Sequence, residues 1–84
     1  TELEQVIRNA PGVKEAAVLG VPDEKWGEVG KAFIVGDSSI SEIDLRSHCQ
    51  KNLAKFKIPK YFVFLPSLPK GESGKILKRK LAEL

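Results

Sequence analysis

The 84-residue sequence has no methionine, and it has one each of cysteine, histidine, tryptophan and tyrosine. The lone Cys49 excludes an intramolecular disulfide and fits a reducing, cytoplasmic setting. His48 and Cys49 are neighbours on a segment that reads as helix, so their side chains diverge by about 100° and form no nucleophile–base pair. With no carboxylate or second histidine at metal-ligand spacing, both are assigned structural roles and no metal site is expected. No apolar run approaches the ~18–20 residues a membrane-spanning helix needs, and no signal-peptide pattern opens the chain. A start at Thr1 without methionine marks the chain as a piece of something longer. Its length allows a single domain, residues 1–84, in which folding hides only about 60–65% of the unfolded surface. That supports one core but not a self-contained large enzyme. A composition 42% hydrophobic and 30% charged excludes a disordered chain.

Acidic residues are scarce in one region only. Residues 1–50 carry nine Asp/Glu against five Lys/Arg, a balance of −4, whereas residues 51–84 carry two against nine, a balance of +7. The basic C-terminal third attracts anions, whether phosphates of nucleic acid, of a membrane or of a nucleotide. Charge alone does not choose among them.

Leu3, Val6, Ile7 and Ala10 have helical spacing, and Pro11-Gly12 ends that helix after nine or ten residues. Val13 to Val21 reads as a strand stopped by Val21-Pro22-Asp23, and Asp23 to Gly30 as a polar connection with one helical turn. Lys31 to Val35 reads as a second strand. Ser41 is the expected N-cap of a second helix, with Asp44 as capping partner and Leu45, Cys49 and Leu53 as its core-facing stripe, ending before Pro59. Tyr61 to Leu65 is the strongest strand signal. A long loop, Pro66 to Gly74, precedes a short basic helix marked by Leu77, Leu81 and Leu84. The order α-β-β-α-β-α predicts an α+β domain: a sheet of about three strands packed against helices, with a long glycine-containing loop before the last helix.

Two segments carry candidate chemistry. Pro69-Lys70-Gly71-Glu72-Ser73-Gly74-Lys75-Ile76 is not a Walker P-loop, because Pro69 and Ile76 occupy the positions where that motif needs glycine and a magnesium-binding hydroxyl. What remains is Lys75 at the tip of a loop made flexible by Gly71 and Gly74, or else an ordinary surface lysine in a turn. Lys55-Phe56-Lys57-Ile58-Pro59-Lys60 sets one aromatic among three lysines on a proline-stiffened connection. That suits an aromatic base beside phosphates, and equally a helix end whose lysines complement its dipole. Trp26 is read as a packing or interface aromatic.

Several segments together resemble a known family over essentially all 84 residues. They are Glu2-Leu3-Glu4, Val13 to Val18 running into Gly20-Val21-Pro22-Asp23, Trp26-Gly27-Glu28, Leu53 to Pro59, and Pro69 to Lys75 with Arg79. In this order they resemble the C-terminal domain of the adenylate-forming superfamily, which includes acyl- and aryl-CoA synthetases, luciferases and peptide-synthetase adenylation domains. The Lys55–Pro59 segment, and Ser73 where peptide synthetases show asparagine, resemble the CoA-ligase branch. The resemblance implies a mobile domain of a larger ATP-dependent carboxylic acid–CoA ligase whose N-terminal domain and hinge lie upstream. It implies that Lys75, following Gly74, enters the N-terminal domain's site to form the acyl-adenylate from ATP. The domain would then rotate and present Phe56, Lys57 and Lys60 to the CoA nucleotide. Mg²⁺ is expected in the full enzyme but not on this domain, and Pro69–Lys75 resembles the family's site of reversible lysine acetylation. The isolated chain is expected to fold without catalysing anything. A basic nucleic-acid-binding module is the competing class, disfavoured because the aromatics cluster in one apolar strand, so no nucleic-acid partner is expected.

Overall fold

A computed structural model describes residues 2–37 and 39–83. Helix α1 (Glu2–Arg8) leads to strand β1 (Val13–Asp23), which turns back into β2 (Gly27–Gly36); helix α2 (Glu42–Asn52), strand β3 (Tyr61–Phe64) and the short helix α3 (Lys78–Leu81) follow. This is the expected α-β-β-α-β-α order around a three-stranded mixed sheet. β1 and β2 pair antiparallel, β2 and β3 pair parallel, and β2 lies in the centre. The parallel step requires a crossover, which α2 supplies.

The central strand explains the core. Ala32, Phe33, Ile34 and Val35 are consecutive and all buried, because β2 is covered on both faces. Ala32 and Ile34 face α1 and α2, packing with Ile7, Ala16, Leu45, Cys49, Leu53 and Phe62. Phe33 and Val35 face the other way, against Ala17, Leu68 and Leu81 of the C-terminal segment. That segment therefore forms a third layer and closes the second face of the sheet.

The local reading of α2 holds: the Ser41 hydroxyl accepts the Asp44 N–H at 3.2 Å, and Leu45, Cys49 and Leu53 are all buried. Burial pushes the Cys49 thiol up, away from the thiolate, and His48 Nε2 lies 2.8 Å from the Val6 carbonyl, bonding α2 to α1. Both residues thus take structural roles. Gly12, with φ of +88°, makes the turn out of α1.

Two expectations are corrected. β1 does not stop at Pro22 but runs to Asp23, with Pro22 opposite Glu28; β1 is an edge strand, where a missing N–H is tolerated. The connection from Asp23 to Gly30 contains no helical turn. It is a hairpin loop, Glu24-Lys25-Trp26, followed by the first residues of β2. The Asp23 carboxylate accepts the N–H groups of Lys25 and Trp26 at 2.8 and 2.9 Å, a local bond that favours a turn over a helix. α2 also ends at Asn52, seven residues before Pro59, and a single 3₁₀ turn (Lys55–Lys57) fills part of the gap. Thr1 and Leu84, expected in the flanking helices, lie outside the described residues.

Candidate functional site

The loop carrying Lys75 is a defined hairpin. Lys70 and Ile76 form an antiparallel bridge, the Gly71 N–H donates to the Lys75 carbonyl at 2.9 Å, and the Gly74 N–H donates to the Gly71 carbonyl at 3.0 Å. Gly74 has φ of +83°. A three-residue loop closing on a left-handed glycine is a standard hairpin solution, and it turns an expected flexible tip into a rigid mount. The backbone of Lys75 is thereby fixed while its side chain stays exposed, and no carboxylate among the described residues pairs with its amine. Leu68, Ile76 and Leu81 anchor the hairpin to the sheet, and the Lys70–Glu15 and Lys78–Glu4 ion pairs tie its two flanks to β1 and α1. Glu4 also accepts the Val18 N–H at 2.8 Å, capping a backbone donor on the β1 edge.

Nothing lies within 4 Å of a Cβ built on Gly74, so the cost of a side chain there is conformational alone. Gly74→Ala is expected to destabilise the domain by about 1–2 kcal/mol, the cost of holding an L-residue left-handed. Urea unfolding checks this, and Gly74→Asn, which tolerates that conformation better, is expected to lose less.

A second feature sits on the helix face, at the hairpin end of the sheet. An open groove of about 1140 Å³ runs between the start of α1, the floor residues Val18, Gly20 and Gly30, and the Lys55–Lys57 turn. Phe56 on one wall is 86% exposed and Trp26 on the other is 69% exposed, so both rings remain available to a planar ligand. The lysines differ in state. Lys57 pairs with Glu2 at 3.3 Å and Lys60 with Asp23 at 2.8 Å, whereas Lys55 is exposed with no ion-pair partner among the described residues. The sequence reading assigned Phe56, Lys57 and Lys60 to the nucleotide; it placed Lys55 in the same segment and read Trp26 as a packing or interface aromatic without assigning either to the ligand. The available signal for Trp26 was a large aromatic amid polar residues, with no apolar periodicity to bury it.

Asp23 links the walls of this groove. The Lys60 ammonium, and then the Trp26 and Lys25 N–H groups, hold its carboxyl down to about 2. A carboxylate stabilised in the folded state contributes stability that is present above its ordinary pKa and is lost as pH falls through the lowered value. Carbon-detected NMR titration is therefore expected to show Asp23 titrating at about 2, with the Lys60 tie persisting at pH 4 and dissolving as the pH falls toward that value. A midpoint near 4 contradicts this geometry.

Lys75 and the groove stand on opposite faces of the sheet, so this domain presents two separate basic features. Among the described residues, no group of three His, Cys, Asp or Glu is placed to hold a metal ion, and no helix is long and apolar enough to cross a membrane.

Such an α+β module, with one arm-mounted lysine on one face of the sheet and one open aromatic groove on the other, defines a class of small accessory domain. Residues 2–75 match the family described as the AMP-binding enzyme C-terminal domain, and the chain belongs to that family. It is 52% identical over 83 residues to a 2-succinylbenzoate–CoA ligase of Listeria monocytogenes, covering 99% of this chain and 18% of that one. Its structure matches a fatty acyl-CoA synthetase of Mycobacterium tuberculosis with a TM-score of 0.93 and 46% identity, over 98% of this chain and 16% of that one. The o-succinylbenzoate CoA synthetase of Bacillus subtilis, solved with its acyl-adenylate intermediate, matches with a TM-score of 0.89 and 41% identity, over 95% of this chain and 16% of that one. The chain thus spans less than a fifth of the length of these relatives. All three are acyl- or aryl-CoA ligases by name, the branch that the sequence segments resemble.

Proposed function

We propose that this chain is the mobile C-terminal domain of an ATP-dependent carboxylic acid–CoA ligase. Lys75 serves adenylate formation, and the Phe56–Trp26 groove serves thioester formation. The observation that carries the reading is an exposed ammonium on a hydrogen-bonded hairpin, with no carboxylate partner among the described residues, which leaves it able to act at another domain's site.

The chemistry calls for that cation. A carboxylate must attack an α-phosphate that is already anionic, so negative charge accumulates as the two approach. A lysine is a compact point charge on a long stem and is suited to meet both groups at once. Exchange of pyrophosphate for the second substrate then requires a different surface, and a rigid-body rotation of the domain supplies it. In that position Phe56 and Trp26 stack on the adenine of CoA, while Lys55, Lys57 and Lys60 face its phosphates. Lys57 and Lys60 meet them through their remaining ammonium protons while keeping their present carboxylate partners; Lys55 is available at once. Mg²⁺ belongs with ATP on the N-terminal domain.

Separate measurement of the two half-reactions in the full-length protein tests this reading. Lys75→Ala is expected to slow adenylate formation severely and to leave thioester formation from supplied acyl-adenylate largely intact. Equal loss of both counts against a two-position domain. Gel-filtration and circular dichroism of the isolated chain are expected to show a folded monomeric-size species with no ligase activity.

A further inference from the structure

We propose that strand β1 carries two positioning carboxylates at its opposite ends: Glu15, which sets the Lys75 hairpin for adenylate formation, and Asp23, which sets the Trp26–Phe56 groove for thioester formation. The inference deepens the reading above and rests on it.

Glu15 and Asp23 are eight residues apart on one strand, about 27 Å at the usual rise. The Glu15 carboxylate pairs with Lys70. Lys70 is the first residue of the Lys75 hairpin and bridges Ile76, the residue after Lys75. Leu68 and Leu81 hold the segment against the sheet by apolar contacts, which are non-directional and set its depth rather than its rotation. The Glu15 ion pair adds a directional restraint at the Lys70 flank, as the Lys78–Glu4 pair does at the other. Without it, the hairpin keeps its apolar contacts and its Lys78 anchor but gains freedom at the Lys70 flank, and the Lys75 ammonium at the tip shifts with it.

Asp23 acts in the same way on two walls at once. One carboxylate oxygen accepts the Lys25 and Trp26 N–H groups and fixes the turn that presents Trp26. The other accepts from Lys60 at 2.8 Å. The Lys60 N–H is itself bound to the Gly30 carbonyl at 2.9 Å, so the chain just after the Phe56 turn is pinned at two points. Neither carboxylate reaches a substrate; each works through the group it holds. The β1–β2 ladder, paired continuously from Glu15 to Asp23, separates them as one stiff unit. A change at one end leaves the other in place.

The Lys70–Glu15 pair is partly exposed, at 42% and 28%, and contributes little to folding, so its loss is felt as geometry more than as stability. Asp23 is only 7% exposed, and its asparagine variant, which keeps the turn bonds, isolates the tie to Lys60. That makes the test selective. In the full-length protein, adenylate formation is followed by pyrophosphate release, and thioester formation by reaction of supplied acyl-adenylate with CoA. Glu15→Gln is expected to slow adenylate formation roughly 5- to 20-fold with an unchanged KM for CoA, the scale of a misplacement well under 1 Å. Asp23→Ala is expected to raise the KM for CoA by a similar factor, with adenylate formation within about twofold of the parent. The exchanged pair, Glu15→Lys with Lys70→Glu, is expected to recover most of the lost adenylation. Asp23→Asn, which keeps the turn bonds and drops the ion pair, is expected to fall between parent and Asp23→Ala and replaces it if the alanine variant does not fold.

Loss of both half-reactions to the same degree in either variant overturns the proposal, as does an unchanged rate in Glu15→Gln or an unchanged KM for CoA in both Asp23 variants. Lys75→Ala run alongside separates the two levels. If it leaves adenylation intact, the function assigned to the hairpin falls; if it abolishes adenylation while Glu15→Gln does nothing, only the positioning role falls.

Discussion

Replacement of Lys75 by alanine is expected to slow acyl-adenylate formation roughly 30- to 1,000-fold, while thioester formation from supplied acyl-adenylate changes by no more than a few-fold. The range follows from electrostatics. An ammonium about 4 Å from a developing anion, at an effective dielectric near 20, is worth about 4 kcal/mol. Only the part that is stronger in the transition state accelerates the reaction; half to all of it gives the stated range. Lys75→Arg is expected to recover little, because a planar, more delocalised guanidinium does not place a compact charge between two groups. The exposed position of Lys75 makes the variant informative: its side chain stabilises no packing within the domain, so folding is expected to be unaltered. A fall below threefold, measured by pyrophosphate release at saturating substrates, contradicts the assignment.

The largest expected effect on stability is at Phe33. This is the largest fully buried side chain, on the central strand, and it packs against Ala17, Leu68 and Leu81. Phe33→Ala is expected to cost about 3–5 kcal/mol, through lost burial and the cavity left behind. A domain of this size has roughly 4–13 kcal/mol in total, at 0.05–0.15 kcal/mol per residue. The variant therefore approaches unfolding at room temperature, whereas Phe56→Ala, truncating a ring already exposed to solvent, is expected to leave the urea midpoint nearly unchanged. The contrast between the two phenylalanines separates a packing residue from a binding one. Hydrogen exchange on Phe33→Ala is expected to show the hairpin amides of Gly71 and Gly74 losing protection first, because the face that Phe33 supports is the one that carries them. A loss under 1.5 kcal/mol contradicts the placement of Phe33 between sheet and C-terminal segment.

Where local chemistry decides a conformation, the chain was legible residue by residue. Ser41 caps α2 because its hydroxyl satisfies a free N–H, and that bond depends on residues three apart. Leu45, Cys49 and Leu53 are buried because one face of a helix must be, and the aromatic run at Tyr61 forms a strand for the same kind of reason. The Lys75 segment was visible as unusual through its glycines and its lysine, and the family it belongs to was visible through five short segments in order.

Other features depended on partners distant in sequence. Pro22 looked like a terminator, yet β1 runs through it because the strand lies at the sheet edge, a fact set by the pairing order. Trp26 read as either a packing or an interface aromatic; its 69% exposure, on the turn that Asp23 bonds, rules out packing. Leu68 and Leu81 show no common periodicity, since one is in a loop and the other in a four-residue helix, and only folding brings them onto Phe33. The lysines of the C-terminal third all looked alike as charges. The structure divides them: Lys57, Lys60, Lys70 and Lys78 are paired with carboxylates from the N-terminal half, while Lys55 and Lys75 have no carboxylate partner among the described residues.

The sequence by itself thus determined the element order, the helix cap, the core stripes and the lysine with the family resemblance, because each is a matter of spacing along one chain. Only the tertiary structure decided which lysines remain free to meet a substrate and which are held by a carboxylate, because an ion pair between residues far apart in sequence exists only once the sheet has brought the two halves of the chain together.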